Sequence, residues 1–511
     1  MGPMSSSTAC KTCKLRRIKA STKLLQKSEE PKPVCQRCTK SRRICLDGKI
    51  TNPRVTFAFH VENRFASGKA KRPRGPRSSL ATPRGSPQID LQTHALGYYL
   101  QCHIQTLPDV PSAAGEGTLS GSVAAWDRSG KTCEMVDLAL SSLALAVFSR
   151  THHHSQAAAE AASRYSRLLH MARGRIAQVG SLDSSNERDF EAYLVAVSLM
   201  ARYESSVYCW SSKSPPSFSH YDGATAILKL WHDCPGPARP TTSIIRNTRR
   251  GLIKLFMLRR LPLPEWMLDG AQFGETDHDL ERDRIIARLV NLNAAVFAPF
   301  PSQADHDHDV EDLQAIDHLE AEARSLDEAL EARAAQFPPE WSYQQTKASP
   351  DPLTRNLSRS PTTQYTFSAP SHATIWSQHF AYRLLLSTIH LSLLAQRPRP
   401  DPFIGSPHYH AQVEHTIHSH RMADSLAASL PSCWAGSPQT PPTTTTALSI
   451  IKQGTPNPSQ ASLAIWPLSI ACNIAKPMMD GKQQRWFRER LAWLGKVTGA
   501  GILERHASAG L

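Results

Sequence analysis

The chain has 511 residues, of which 40% are hydrophobic and 20% charged, an ordinary globular composition with room for two or three domains. It contains no apolar run of about 18 residues, so the sequence predicts no transmembrane helix and no membrane partner. The formal net charge is +15, and residues 1–85 hold 21 Lys and Arg against four Asp and Glu, which indicates a module for a polyanion such as nucleic acid, joined to a nearly neutral body.

Two Cys-x2-Cys pairs come first along the chain. Cys10 and Cys13 form one pair, Cys35 and Cys38 form the other, and Cys45 follows. Two thiolates at this spacing reach one metal ion from a single turn, and zinc takes about four such ligands. One pair alone is equally typical of a redox dithiol, but two pairs interleaved with Lys and Arg favour zinc. The other six cysteines are isolated, which argues against a disulfide framework.

This cysteine segment resembles the fungal zinc binuclear cluster, in which six cysteines hold two zinc ions and a short helix enters the DNA major groove. The family pattern is Cys-x2-Cys-x6-Cys, a loop, then Cys-x2-Cys-x6-Cys. The resemblance implies zinc as the cofactor, double-stranded DNA as the partner and five metal ligands in this chain: Cys10, Cys13, Cys35, Cys38 and Cys45.

The segment departs from the family at one point, because Ala20 stands where the third cysteine belongs. The following loop, Ser21 to Val34, is also long. In the family the first and fourth cysteines bridge both metals, which implies one complete zinc site and one incomplete site. The complete site would use Cys10, Cys35, Cys38 and Cys45; the other would keep Cys10, Cys13 and Cys35, with water, Glu29 or Glu30 at the open position.

Two explanations of Ala20 are open. Either this paralogue has a degraded cluster, or the translated sequence carries a wrong splice near Ala20. The second is favoured because the ligand loss and the loop extension occur at the same point.

The basic run after Cys13 supplies the candidate DNA contacts. In the family a helix begins at the second cysteine, and here it would present Arg16 and Arg17 to base edges, where arginine binds guanine O6 and N7 in bidentate fashion. Lys14 and Lys19 are better placed for phosphate, which positions the protein without specifying sequence. The alternative for all four residues is a solvated basic face.

A second basic segment follows at Lys69 to Arg77. It has five cations in nine residues, and its prolines and glycine exclude a helix, so the sequence predicts an extended arm. We expect it to be a nuclear import signal that binds the import machinery, with a solubilising linker as the alternative. Its cations are Lys69, Lys71, Arg72, Arg74 and Arg77. No sustained heptad pattern follows the cluster, so monomer, homodimer and heterodimer are all open.

From about residue 91 the pattern becomes helical. The Ala/Leu-rich run Val136 to Phe148 is apolar on most faces, as in a buried helix. Two Ser/Thr/Pro-rich stretches, Ser342 to Ser371 and Pro431 to Gln460, are expected to be disordered insertions, and no strand pattern is evident. The other predicted helices cover Ser155–Val179, Phe190–Tyr208, His220–Trp231, Ile285–Phe297, Asp309–Phe337, Ala373–Ala395, Val413–Leu430, Ala464–Cys472 and Arg485–Leu494.

The predicted helix Asp309 to Phe337 carries the clearest apolar stripe, which the charge of Arg333 interrupts. About two clean heptads are too few for a coiled coil, so this stripe is expected to face the protein's own core. Pro338-Pro339 should end the helix. The stripe residues are Ile316, Leu319, Ala323, Leu326 and Leu330.

The helical body also resembles a known domain. The run His220-Tyr-Asp-Gly-Ala-Thr-Ala-Ile-Leu is similar to a helix start that recurs in the fungal transcription factor regulatory domain, and the last predicted helices are similar to the end of that domain. This resemblance implies an all-α stack of helix pairs behind the small cluster.

Catalytic signatures were not found. The sequence has no Walker motif, dinucleotide glycine fingerprint, Gly-x-Ser-x-Gly elbow or His-Glu-x-x-His, so no enzyme activity is expected. The runs His152-His153-His154 and Asp305 to Asp309 are better explained as solvated polar loops than as metal sites.

The sequence therefore predicts a nuclear, zinc-dependent, sequence-specific DNA-binding regulator of RNA polymerase II transcription. The alternative is an interaction protein with a degraded cluster that acts through its helical body. The expected segments are a disordered lead at 1–9, the cluster at 10–48, a basic linker at 49–90 and the helical regulatory domain at 91–511, with insertions near 342–371 and 431–460.

Overall fold

The computed structural model describes residues 89–104, 119–179, 187–208, 217–234, 241–297, 309–347, 363–397, 406–434, 456–473 and 481–508, all within one unit that spans Pro87–Leu511. The predicted zinc ligands, DNA contacts and import residues, from Cys10 to Arg77, lie outside the described residues, as do half of the first predicted insertion and most of the second.

The first half of the described chain is entirely helical. Its helices carry apolar residues at helical spacing on their inward faces. They are α1 (Leu91–Tyr99, continued by a π-helical turn at Leu100–Ile104), α2 (Leu119–Arg128), α3 (Glu134–His152), α4 (Ser155–Val179), α5 (Glu187–Val207), α6 (Ser219–Asp233), α7 (Ser243–Arg259) and α8 (Asp277–Phe297).

The second half contains a hairpin among helices. Two 3-10 turns, at Glu265–Met267 and Gly270–Phe273, lie between α7 and α8, and a third, at Pro339–Trp341, precedes the hairpin. The remaining elements of this half are helices and two strands. Those elements are α9 (Asp309–Ala335), β1 (Tyr343–Lys347), β2 (Thr363–Phe367), α10 (Pro370–Gln396), α11 (Pro407–Ser429), α12 (Pro431–Trp434), α13 (Pro458–Ser462), α14 (Ile465–Asn473), α15 (Gly481–Thr498) and α16 (Gly501–Ser508).

Helix α3 lies at the centre of the first half. It packs against α1, α4, α5 and α15, and nearly every residue from Met135 to Phe148 is buried. The sequence prediction of a helix buried on most faces is thereby confirmed. Consecutive helices also pack as pairs, most extensively α3 with α4, α10 with α11 and α15 with α16.

The apolar stripe of α9 faces the core, as predicted. Ile316, Ala323, Leu326 and Leu330 are buried, and the helix packs against α8 and α10. It ends at Ala335, two residues before the Pro338-Pro339 pair. The all-α prediction is confirmed for the described part of the chain, in which helices far outnumber the two strands. Among the described helices, none combines the length and the apolar character that a bilayer crossing requires.

The hairpin corrects one expectation. Residues 342–371 were predicted to be a disordered insertion without strands, but β1 and β2 pair antiparallel, with Tyr343 opposite Phe367 and Gln345 opposite Tyr365. The strands form because their aromatic side chains pack on α10 and α11, which compensates for the Ser/Thr/Pro-rich composition around them. The expected second insertion, 431–460, is helical at both ends, in α12 and α13.

A buried ionic cluster holds α7 against α8 and the segment between them. Arg249 has no exposed surface and forms a bidentate pair with Asp283, at 2.7 and 2.8 Å. Its Nε and Nη2 also donate to the carbonyl oxygen of Met267, at 3.0 and 2.7 Å. Arg250 pairs with the buried carboxylate of Glu275. These bonds fix the path of residues 261–276, because each buried charge requires its own partner.

Glycine is required at position 274, where that segment turns into α8. Gly274 has φ +82°, and a Cβ there would lie 2.9 Å from the Cβ of Thr241 and closer still to its hydroxyl. Gly130 has a similar φ of +63°, with open space around it.

We expect Gly130→Ala to lower the free energy of unfolding by about 1–2 kcal/mol, the cost of a left-handed backbone for alanine. Gly274→Ala should cost about 1–3 kcal/mol more, because the clash with Thr241 is added to the same backbone strain. Urea unfolding followed by circular dichroism measures both. Equal losses for the two variants would show that the Thr241 contact relaxes freely.

Two arginines join the end of the domain to its beginning. Arg150 of α3 pairs with Glu504 of α16, at 2.9 Å, across 354 residues of sequence. Arg202 of α5 donates to the carbonyl oxygen of Thr498, at 2.6 Å. The last two helices therefore cover side chains of α3 and α5.

Candidate ligand-binding cleft

A cleft of about 800 Å³ opens where α9, the β1–β2 hairpin, α10 and α11 meet. Helical periodicity directs one face of α10 into it, through Trp376, His379, Phe380 and Arg383, at relative positions i, i+3, i+4 and i+7. The faces of α9 and α11 follow the same spacing. The cleft is therefore lined by regular elements rather than by loops.

One wall of the cleft is aromatic. The rings of Tyr343 and Tyr365 stack across the two strands, with centroids 4.2 Å apart. Trp376 lies perpendicular to Tyr343 at 5.1 Å and 84°, and Phe380 lies behind it at 5.6 Å. The Trp376 indole N–H donates to the carbonyl oxygen of Trp341, at 2.8 Å, which fixes the ring plane. Trp376 and Tyr343 thus meet edge to face, and with Tyr365 they form an aromatic corner of the cleft lining.

The floor of the cleft is an ion-pair group. Arg383 is buried and donates through Nε and Nη2 to the two carboxylate oxygens of Asp327, at 2.7 and 2.8 Å. Its Nη2 also lies 2.7 Å from Glu331. The two acids follow each other by one turn of α9, so both reach the same guanidinium. This arrangement pairs Arg383 with two carboxylates of the protein itself.

Two histidines beside this floor are neutral at physiological pH. Burial, reinforced by the nearby Arg383 guanidinium, lowers the pKa of His379 to about 4. Burial and then Arg383 also lower the pKa of His418. The Nε2 atom of His418 is buried and makes no hydrogen bond to any part of the chain that the structure describes.

The mouth of the cleft carries exposed charges from α11. Glu414, Arg421 and Asp424 line it, and Asp424 accepts a hydrogen bond from the Gln483 side chain of α15, at 2.8 Å. Around the whole cleft, four carboxylates face two guanidinium groups, so with neutral histidines the formal charge of the lining is −2. The site is both aromatic and acidic.

The histidine-rich loop after α3 has packing roles. His152 stacks on Phe148 with centroids 4.4 Å apart, and His153 ends the helix with φ 54°. His154 Nδ1 accepts a hydrogen bond from the backbone N–H of Ala157, at 3.1 Å. Within the ranges given above, no group of three or more His, Cys, Asp or Glu is placed to hold a metal ion. Asp305 to His308 lie outside the described residues.

Histidines between α10 and α11 make stability depend on pH. His390 stacks on His415 with centroids 4.2 Å apart, and burial, reinforced by His415, lowers its pKa to about 4. An unfolded histidine titrates near 6.5. Between these values the unfolded chain binds a proton that the folded chain rejects, so stability falls as pH drops from about 6.5 to 4.

We expect His390→Phe, which keeps a ring and removes the titration, to reduce this pH dependence. Urea midpoints at pH 7, 6 and 5 would measure the slope. His410→Phe, at an exposed position of the same helix pair, serves as the control and should leave the slope unchanged. A slope that is identical in all three proteins would rule out His390 as a source of the acid sensitivity.

None of the cleft residues was predicted from the sequence. Tyr343 and Tyr365 lie in the stretch expected to be disordered, and their aromatic character within that polar stretch was the available signal. On α10, polar and aromatic residues interrupt an otherwise apolar helix at Trp376, His379 and Arg383, a second signal. Cys433 is fully buried, and burial raises the pKa of its thiol to about 11.

In comparisons with known proteins, no family model, no curated protein and no solved structure matches this chain.

Proposed function

We propose that this protein is a nuclear, zinc-dependent regulator of RNA polymerase II transcription that binds specific DNA sequences. The observation that carries the proposal is the spacing of Cys10, Cys13, Cys35, Cys38 and Cys45 with cations between them. It resembles the fungal zinc binuclear cluster in all but one ligand. The charge distribution supports the same role, because clustered cations gain affinity for DNA through counterion release.

Within this proposal the zinc ions are structural. Zinc binding supplies the folding energy of small cysteine modules, and the ordered module would then present Arg16 and Arg17 to base edges. Lys14 and Lys19 would contact phosphate. The basic arm from Lys69 to Arg77 would bring the protein into the nucleus.

The helical domain would receive the regulatory signal. The support for this role is the cleft between α9, the hairpin, α10 and α11, whose volume of about 800 Å³ suits a small molecule. We propose no catalytic role for the domain. A change in its occupancy would alter contacts with the transcription machinery.

The second candidate is an interaction protein that no longer binds DNA by itself. Ala20 in place of the third cysteine favours it, because a lost ligand weakens one zinc site. Such a protein would act through its helical domain by pairing with a partner whose cluster is complete.

Zinc content and DNA binding of the full-length protein separate the two candidates. The regulator predicts bound zinc, selection of a short GC-rich site from a random duplex library, and affinity that falls steeply with salt. The interaction protein predicts no selected site at any salt concentration. Sequencing the transcript across Lys19 to Pro33 would test whether a spliced form carries the missing cysteine.

On the selected site, we expect Arg16→Ala or Arg17→Ala to cost about 1–3 kcal/mol of binding free energy and to relax the preference at one base pair. Lys14→Ala is the matched control. It should weaken binding to all sequences alike and reduce the slope of log affinity against log salt concentration by about one. Anisotropy titrations on the site and its single-base variants give both quantities. An unchanged base preference in both arginine variants would contradict the assigned base contacts.

A further inference from the structure

The aromatic corner of the cleft brings together Tyr343, Tyr365 and Trp376, all three of which line the cleft. Tyr343 and Tyr365 form one side as a stacked pair, and Trp376 forms the other at 84° to Tyr343. A cation in the cleft that lies against an exposed ring face is attracted by the negative potential of that ring, most strongly by tryptophan. These rings lie on a hairpin and a helix and are fixed by their packing, so they keep this geometry without a ligand.

The charges around the corner favour the same kind of ligand. The deep guanidinium of Arg383 is neutralised by Asp327 and Glu331, so it exposes no net positive charge to the cleft. Glu414 and Asp424 add two carboxylates at the mouth. His379 and His418 lie beside Arg383 with lowered pKa values, so as neutral side chains they add no positive charge to the cleft.

We propose that this cleft binds a small organic cation, a substituted ammonium ion that lies against Tyr343, Tyr365 and Trp376. A cation of this class would be the signal that the proposed regulator receives. Only this regulatory consequence of binding rests on the proposed function. Binding itself is a property of the helical domain and is measurable without DNA.

An anionic ligand fits the cleft less well. It would need an uncommitted cation at the floor, where Arg383 already pairs with two carboxylates. The remaining guanidinium, Arg421, lies exposed at the mouth beside Glu414 and Asp424. A carboxylate or phosphate ligand would therefore meet more negative than positive groups.

Three probes of nearly the same shape test the charge requirement. Choline, 3,3-dimethylbutanol and 3,3-dimethylbutanoate carry a positive charge, no charge and a negative charge, and each can be titrated calorimetrically into the full-length protein. We expect choline to bind at millimolar concentration, the alcohol to bind about tenfold more weakly, and the carboxylate not to bind.

Substitutions locate the site. Tyr343→Leu keeps apolar bulk but removes a π face and should weaken choline binding about tenfold. Tyr409→Leu, at an exposed tyrosine outside the cleft, is its control. Glu414→Gln should weaken binding about two- to five-fold, and Arg421→Ala should strengthen it by a similar factor. Glu328→Gln, at an exposed acid of α9 outside the cleft, should have no effect.

Several outcomes would overturn the proposal. They are equal binding of choline and the alcohol, preferential binding of the carboxylate, no heat from choline at millimolar concentration, or unchanged binding in a folded Tyr343→Leu variant. If the choline experiments fail, the results on DNA binding and zinc content still stand. Failure of DNA binding likewise leaves choline binding intact, so the two proposals fail separately.

Discussion

Replacing Asp283 by asparagine is expected to lower the free energy of unfolding by about 3–5 kcal/mol. Arg249 is wholly buried, and its two bonds to Asp283, at 2.7 and 2.8 Å, provide its only carboxylate partner within the described part of the chain. Asparagine keeps the size of the side chain but removes the charge. The guanidinium then remains buried without a counter-ion, which costs far more than one hydrogen bond.

Urea unfolding of the two proteins at pH 7 measures this loss. Asp222→Asn is a matched control, because Asp222 also pairs with an arginine, Arg259, at 2.6 Å, but on the surface. Exposed pairs contribute about 0–1 kcal/mol, so the control should unfold almost like the parent. Adding Arg249→Met to Asp283→Asn removes the stranded charge and should recover part of the stability. Similar losses at Asp283 and Asp222 would contradict this account of the buried pair.

Cys38→Ser is expected to abolish specific DNA binding and to remove most of the bound zinc. By the resemblance to the fungal cluster, Cys38 belongs to the zinc site that keeps four cysteine ligands, together with Cys10, Cys35 and Cys45. Structural zinc contributes about 10–16 kcal/mol to the folding of small cysteine modules, so in the proposed cluster a lost ligand would unfold the DNA-binding helix.

Cys13→Ser is the informative comparison, because the proposed assignment places Cys13 in the site that lacks one cysteine. It should reduce zinc content less than Cys38→Ser does, and Ala20→Cys should raise the content toward two ions per chain. Cys234→Ser, in the helical domain, controls for loss of a thiol. Metal analysis and anisotropy titrations of the full-length variants provide the readouts. A greater loss in Cys13→Ser than in Cys38→Ser would reverse the assignment of the complete site.

The helices that the sequence predicted share one property, an apolar pattern that is sufficient by itself. Helix α3 is apolar on most faces, and the α9 stripe has a clear period, so neither needs information from the rest of the chain. Helix α7 was not predicted, because Arg246, Arg249 and Arg250 interrupt its apolar face. The acids that allow burial by neutralising Arg250 and Arg249 are Glu275 and Asp283, which lie 25 and 34 residues further along the chain.

The cleft could not be predicted for a related reason. Its lining comes from four elements that meet only in the folded chain, and the pairing of β1 with β2 depends on packing against α10 and α11. Local composition around Tyr343 and Tyr365 favoured disorder, and tertiary contacts reversed that preference. The predicted zinc and DNA residues, by contrast, rest on spacing within one short segment, and they remain predictions because they precede the described residues.

The link between Arg150 and Glu504 has a consequence for biosynthesis. A ribosome releases α3 and α5 several hundred residues before it makes the helices that cover them. During that interval apolar side chains of the early helices stay open to water and to other nascent chains, which invites aggregation. The growing polypeptide should therefore depend on a holdase chaperone until α15 and α16 emerge from the exit tunnel.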